Sequence, residues 1–360
     1  MNEDMNVYGE NFENTEDVKP SILPDFKRVC VRVGIMMIVV YAARFLCNVV
    51  IVLASPLLVR CSSTMLTLLN SLFSIVFLNV IPITAAVFLL KFPRSGVKDT
   101  IFAKPKYFGR ALGIFPAGYG AAMAMQMFTL LLARLFAGTA VEDSFNATEN
   151  MFTSSNMTSA AILFVHTVIL APLFEEFWFR GLVLQSLRPY GNGFAIFVSA
   201  VLFGLTHANL AQFFYATVLG IVLGYVAVQT ESVVTTMVLH AMFNGIAGIS
   251  SLFMANPDIT QFLLSGASDM ENVSPVVTVF VVWLLLVVGL AVVGFIMAVV
   301  KLVHIKRYSV PKMQTELSAA SRWGIFLSRP AVVIMLLMAA DTMTVAFVTN
   351  KLVELIFFGV

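Results

Sequence analysis

Charged side chains make up only 12% of the 360 residues, while hydrophobic ones make up 59%. A soluble domain carries roughly a quarter of its residues as Lys, Arg, Asp or Glu, so the soluble globular class is excluded and the chain reads as a polytopic membrane protein. Basic and acidic residues nearly balance, 22 against 20. No basic patch is interleaved with aromatics, so nucleic acid is not an expected partner. The three cysteines, Cys30, Cys47 and Cys61, are too few and too irregularly spaced for a disulfide framework or a thiolate zinc site, and they read as buried, inert thiols. Pro-rich, Gln-rich and tandem-repeat segments are missing. No basic stretch precedes a short apolar core near the N-terminus, so no cleavable signal peptide is expected and the first apolar run is expected to be retained.

What is present is a succession of apolar runs joined by short polar turns. They fall at about 33–55, 65–90, 111–137, from Ala160 to before Arg188, 210–228, 232–250 and 275–300, each long enough to span a bilayer. A shorter run at about 194–207 ends at His207, and a last one at about 330–349 is interrupted by Asp341. The expected fold class is all-α: a polytopic transmembrane helical bundle of about eight to nine spans. Residues 1–30 read as an acidic cytoplasmic tail, 31–305 as the membrane domain with its core at about 160–250, and 306–360 as a basic cytoplasmic segment with a final membrane helix.

Cations cluster in the joint that holds Lys91, Arg94, Lys98, Lys104, Lys106 and Arg110, and again at Lys301, His304, Lys306 and Arg307. The segments 138–158 and 251–274 carry neither Lys nor Arg. The positive-inside rule then puts the N-terminus in the cytoplasm, with the basic joints inside and the base-free ones outside. The expected location is the plasma membrane of a bacterium. Asn146 and Asn156 head Asn-x-Ser/Thr triplets that arise readily by chance in so polar a loop.

Against this apolar background one stretch stands out, Ala171-Pro172-Leu173-Phe174-Glu175-Glu176-Phe177-Trp178-Phe179-Arg180-Gly181. Ionised groups in mid-membrane cost roughly 2.5–3.5 kcal/mol each on insertion scales, so three within six residues need partners or a task. Glu176 and Arg180 are four apart and share a helix face, while Glu175 points about 100° away. One carboxylate is thereby placed to pair with Arg180 and the other to face a cavity. A structural ion pair, or Arg180 reaching the interface, explains the same residues without chemistry. His207 ends a short apolar segment, and His240 and Asn244 lie one helical turn apart, where both can donate to a single oxygen. Taken singly, each reads as an interhelical hydrogen bond. Taken together, the segments bearing them relieve their polarity best by packing around one wet cavity. His166 has no partner at helical spacing and His304 sits among cations, so neither receives a role. Because Glu175 and Glu176 fall late in an inward-going span, the cavity is expected to open to the cytoplasm.

A carboxylate in such a cavity can act as general base on water, and a neutral histidine can share that water or shuttle its proton. His240 and Asn244 can stabilise an oxyanion. These are the parts of an amide hydrolase that uses water directly. Glu175, His207 and His240 could instead hold a divalent metal such as zinc; the water-activation reading requires no cofactor. Other intramembrane chemistries fail on motif: His-Glu-x-x-His and Gly-x-Gly-Asp are absent, and Gly248-Ile249-Ser250 is followed by Ser251 rather than Gly.

Three motifs in order, Glu-Glu-x-x-x-Arg at Glu175, Glu176 and Arg180, Phe-x-x-x-His at Phe203 and His207, and His-x-x-x-Asn at His240 and Asn244, resemble those of the CPBP intramembrane proteases. These are related to the type II CAAX prenyl endopeptidases and also called the Abi family. The resemblance covers about residues 160–250. It implies an all-helical membrane fold and endopeptidase activity on a membrane-tethered substrate, a prenylated CAAX protein in one branch and bacteriocin self-immunity or peptide processing in others. It also implies Glu175 as the water-activating carboxylate with His207 its partner, Arg180 as organiser of the Glu pair, and His240 with Asn244 as the oxyanion site. Metal-dependent and glutamate-dependent mechanisms both remain open. The alternative from another class is a non-catalytic membrane protein, either an immunity factor or a transporter that uses the polar cluster for binding or proton relay.

Overall fold

The computed structural model describes residues 22–89, 103–136, 156–265, 273–310 and 317–343, and these are helical apart from short joints, with no strand among them. In chain order the helices are α1 (Ile22–Leu58), α2 (Ser63–Phe88), α3 (Phe115–Phe136, preceded by a single turn at Phe108–Leu112), α4 (Met157–Tyr190), α5 (Asn192–Thr206) and α6 (Leu210–Thr230). They continue as α7 (Val233–Met254), α8 (Pro257–Leu264), α9 (Pro275–Val303), α10 (Ala319–Leu327) and α11 (Pro330–Met343). The protein is a polytopic helical membrane bundle.

Seven of these helices are long and apolar enough to cross a bilayer, or eight if the bent pair α10–α11 counts as one span. Among the described residues this range meets the expected eight to nine at eight, and two physical features set the count. Helix α5 has 15 residues, about 22 Å at 1.5 Å per residue, and falls short of a hydrocarbon core of about 30 Å. The last apolar run is broken by a 70° bend between Leu327 and Pro330. Pro330 has no N–H to continue α10 and steers Arg329 away from helical backbone angles. The part of that run beyond residue 343 lies outside the described residues.

Two sets of helix ends meet at opposite ends of the bundle. At one, the Lys106 backbone N–H donates to the Thr230 carbonyl at 3.0 Å and its ammonium pairs with Glu231 at 2.7 Å; Arg322 of α10 donates to the Tyr190 carbonyl at 2.6 Å. At the other, Asn156 caps α4 and donates to Ser63 at the start of α2 at 3.1 Å. Lys106 and Arg322 thus both lie at the first end, which we call the basic end.

The main core joins α1, α4 and α5 to α10 and α11 through Phe26, Met37, Trp178, Leu184, Phe194, Phe326 and Val332. A second core joins α3, α6 and α7 through Tyr119, Leu223 and Phe243. Cys30 and Cys47 are buried and Cys61 is half-buried, all as free thiols. Phe45, Leu53, Leu285 and Leu286 lie exposed on the outside, where a bilayer rather than water is the compatible solvent. The α5–α6 seam positions the site. A Cβ at Gly220 would sit 2.8 Å from the Ala200 Cα, and one at Gly204 would strike Thr217 and the Phe213 backbone, so small residues let the two backbones approach closely.

Candidate active site

The polar residues of α4 are set by a change of helical winding. The α-helical stretch Ala171–Glu176 is flanked by π-helical turns at Val165–Leu170 and Phe177–Leu184, a departure that recurs at functional sites. Glu176 and Arg180 are both 0% exposed. The Arg180 Nη1 donates to Glu176 Oε1 at 2.7 Å and its Nη2 to the Gly220 carbonyl at 3.2 Å, while the guanidinium carbon lies 4.7 Å from the centre of the Phe203 ring. Glu175 lines a cavity instead, its side chain 28% exposed.

His240 of α7 bridges the two carboxylates. Its Nδ1 lies 2.8 Å from Glu176 Oε1 and its Nε2 3.8 Å from Glu175 Oε2. An acceptor carboxylate on Nδ1 places a proton there and fixes the ring. His207, at the C-terminal end of α5, directs Nδ1 to the Phe203 carbonyl at 3.0 Å, which makes Nδ1 the donor and leaves Nε2 as the nitrogen with a free lone pair. Phe203 stands between these groups, its ring edge-to-face with His207 at 5.1 Å and His240 at 5.6 Å. Asn244 donates to the Thr167 carbonyl of α4 at 2.8 Å. The structure therefore gathers all six sequence-derived residues, with one difference in arrangement. His240 and Asn244 do not converge on one oxygen, because the buried Glu176 carboxylate draws the imidazole while Thr167 draws the carboxamide.

The cavity has a volume of about 1140 Å³ and is lined by Glu175, His207, His240 and Asn244 together with Arg44, Arg134, His166 and Gln126. Arg44 Nε, Gln126 Oε1 and His166 Nδ1 are buried without a protein partner, and such groups call for water or ligand. Toward the basic end the cavity is stopped by packed side chains: Leu182, Leu184 and Leu187 of α4, Ala195 of α5 and Val226 of α6 are at most 2% exposed. Its remaining lining, including Arg134, Leu163, Asn209 and Gln212, comes from the opposite end. The cavity opens at the end opposite the basic end; on the positive-inside expectation that is the outer end, which sets the expected cytoplasmic opening against the expected topology. Depth along α4 locates Glu175 but does not determine which end of the bundle is packed solid.

Sequence reasoning missed Arg44, although an arginine inside the first apolar run carries the same signal that singled out Arg180. It also gave His166 no role, and that residue lines the same cavity. Among the described residues no three His, Cys, Asp or Glu side chains converge closely enough to hold a metal ion; Glu175 and His240 approach one another, and His207 is turned onto its own helix. A separate hollow of about 600 Å³ beside α8 holds no titratable group.

Residues 157–246 match the family model for type II CAAX prenyl endopeptidase Rce1-like proteins. This segment is an Rce1-like domain. It covers about a quarter of the 360 residues and contains all six residues of the polar constellation. The Rce1-like domain begins with α4, the helix that carries the two carboxylates, and ends within α7 two residues beyond Asn244. What the match carries is a likeness over this segment to a family of membrane endopeptidases. No curated protein and no solved structure matches the chain.

Proposed function

We propose that the protein hydrolyses a peptide bond of a membrane-tethered protein or peptide with water activated by Glu175. The observation that carries this reading is the division of labour between adjacent carboxylates. Glu176 is held by Arg180 and His240, which leaves Glu175 facing the cavity as a base with room for water. Glu175 takes a proton from that water as its oxygen adds to the scissile carbonyl. The C–N bond then breaks as the proton passes to the departing amine. His207 Nε2 is suited to accept and return a proton during this transfer. Asn244, with one amide hydrogen on Thr167 and the second unused, is suited to donate to the developing oxyanion. His240 acts as a positioning residue for both carboxylates. Among the described residues Glu175 and His240 approach one another while His207 is turned onto its own helix, an arrangement that suits direct action of the base on water.

A lipid-tethered substrate is supported by the cavity walls. Helices α2 and α3 both line it, through Ser74, Leu78, Met123 and Met127, without an extended packed interface between them among the described residues. That arrangement suits a chain such as a prenyl group lying in the bilayer. The test is hydrolysis of lipidated and unlipidated peptides by purified protein. Glu175→Gln is expected to reduce turnover by about 10²–10⁴-fold without loss of helicity, and activity is expected to survive chelation. Undiminished turnover in Glu175→Gln would overturn the mechanism.

A further inference from the structure

The first apolar helix carries a cation whose presence the proposed chemistry does not explain. Arg44 lies 22 residues into α1, inside a membrane-spanning segment, and lines the cavity beside the active residues. Its Nη2 donates to the carbonyl of Thr206, the residue before His207, while its Nε is buried without a partner. Among the described residues no carboxylate lies within 4.0 Å of it; the ion pairs there involve Asp25, Glu175, Glu176 and Glu231 with other cations. A guanidinium held in a bilayer without a counter-charge is costly, and it offers five donors of which one is used here.

Two accounts compete. In the first, Arg44 is a clamp: together with the Tyr41 hydroxyl, which donates to the Leu205 carbonyl at 3.2 Å, it satisfies the last carbonyls of α5 and sits at the negative end of that helix dipole. This explains one hydrogen bond but not the orphaned Nε or the placement on the cavity wall. The cavity itself supplies the second account. Its lining among the described residues sets Arg44 beside a single carboxylate, Glu175, and Glu175 is committed to water in the reading above. The site therefore lacks an anion, and the planar fork of an arginine is shaped for a carboxylate.

We infer that Arg44 binds a carboxylate of the peptide substrate, holding it beside His207 so that the bond to be cut lies over Glu175. The carboxylate is that of the peptide C-terminus or of an acidic side chain near it. Arg44 is then a specificity residue, and the enzyme distinguishes substrates by the charge at one end of the bound peptide. This deepens the proposed function and rests on it for the catalytic readout, though not for the binding one.

The experiment uses four peptides of one sequence: free C-terminus or C-terminal amide, each with Asp or Asn at one interior position. Kinetics are measured on the wild-type protein, Arg44→Gln and Arg44→Lys, and binding of the same peptides is measured on Glu175→Gln protein with and without Arg44→Gln. Charge-assisted hydrogen bonds of this type correspond to roughly 10–100-fold in affinity. The wild-type protein should favour one carboxylate-bearing peptide by that factor, chiefly in KM, and the pair that shows it identifies the source. Arg44→Gln should bring the ratio close to unity, and Arg44→Lys should restore part of it. A clamp alone predicts that Arg44→Gln lowers turnover of all four peptides by the same factor, and that result would overturn the proposal, as would a wild-type protein indifferent to the carboxylate. If no peptide is cut by any form, the proposed hydrolysis fails, while the binding series still decides whether Arg44 recognises a carboxylate.

Discussion

Replacing Arg180 with Leu would leave the Glu176 carboxylate, fully enclosed by protein, without its cationic partner and with only His240 and the Thr236 hydroxyl beside it. Removing one member of a buried pair costs about 3–5 kcal/mol, most of it the penalty of the stranded charge. Arg180→Leu is therefore expected to lower the thermal unfolding midpoint in detergent strongly. Glu176→Gln combined with Arg180→Leu should cost less than the two changes added together, because the second removes the charge that the first strands. At this scale much was legible. The spacing of four between Glu176 and Arg180 is local, so their pairing could be read from the chain, and the same spacing left Glu175 on another face. His240 meets Glu176 across 64 positions and Arg44 meets Thr206 across 162. No periodicity within one helix reports such contacts.

Helix α5 carries His207, and what holds it in place is its close seam with α6. Gly220 is central to that seam: its missing Cβ admits Ala200, and its carbonyl accepts from Arg180. Gly220→Val is expected to push the helices apart at an overpacking cost of about 1–3 kcal/mol and to lower kcat more than it raises KM, since it displaces His207 and Arg180 together. Gly224→Ala, whose Cβ would meet Ile196 at 3.1 Å, should be the milder change, and parallel kinetics and unfolding curves on both would check the gradation. The Gly220 and Gly224 spacing in the sequence already marks a close helix contact. The π-helical turns of α4 leave no such mark, because apolar residues pack equally well in either winding. The lengths of most spans were legible from hydropathy, whereas the bend at Pro330 required reading that proline as a break rather than as part of one last span.

For the whole molecule the decisive property is which end is solid. Hydropathy and basic joints give the number and sense of the spans, but not the filling of the bundle, which depends on side chains from helices α4, α5 and α6 meeting in space. In a background without the three native cysteines, Asn209→Cys at the cavity mouth should react with an impermeant maleimide on intact cells, and Glu231→Cys at the basic end only after permeabilisation. The reverse pattern would turn the opening to the cytoplasm and overturn the orientation adopted above.

The plug of Leu182, Leu184 and Leu187 carries a consequence for the cell as well as for the reaction. A hydrolase buried in lipid must admit solvent to mid-bilayer, and a continuous file of it would short-circuit the proton-motive force. Here the wet pit ends blind against hydrocarbon side chains. Under the proposed hydrolysis the membrane would stay electrically sealed during the reaction, and both halves of a cut peptide would depart by the route through which the intact one arrived or sideways into the lipid.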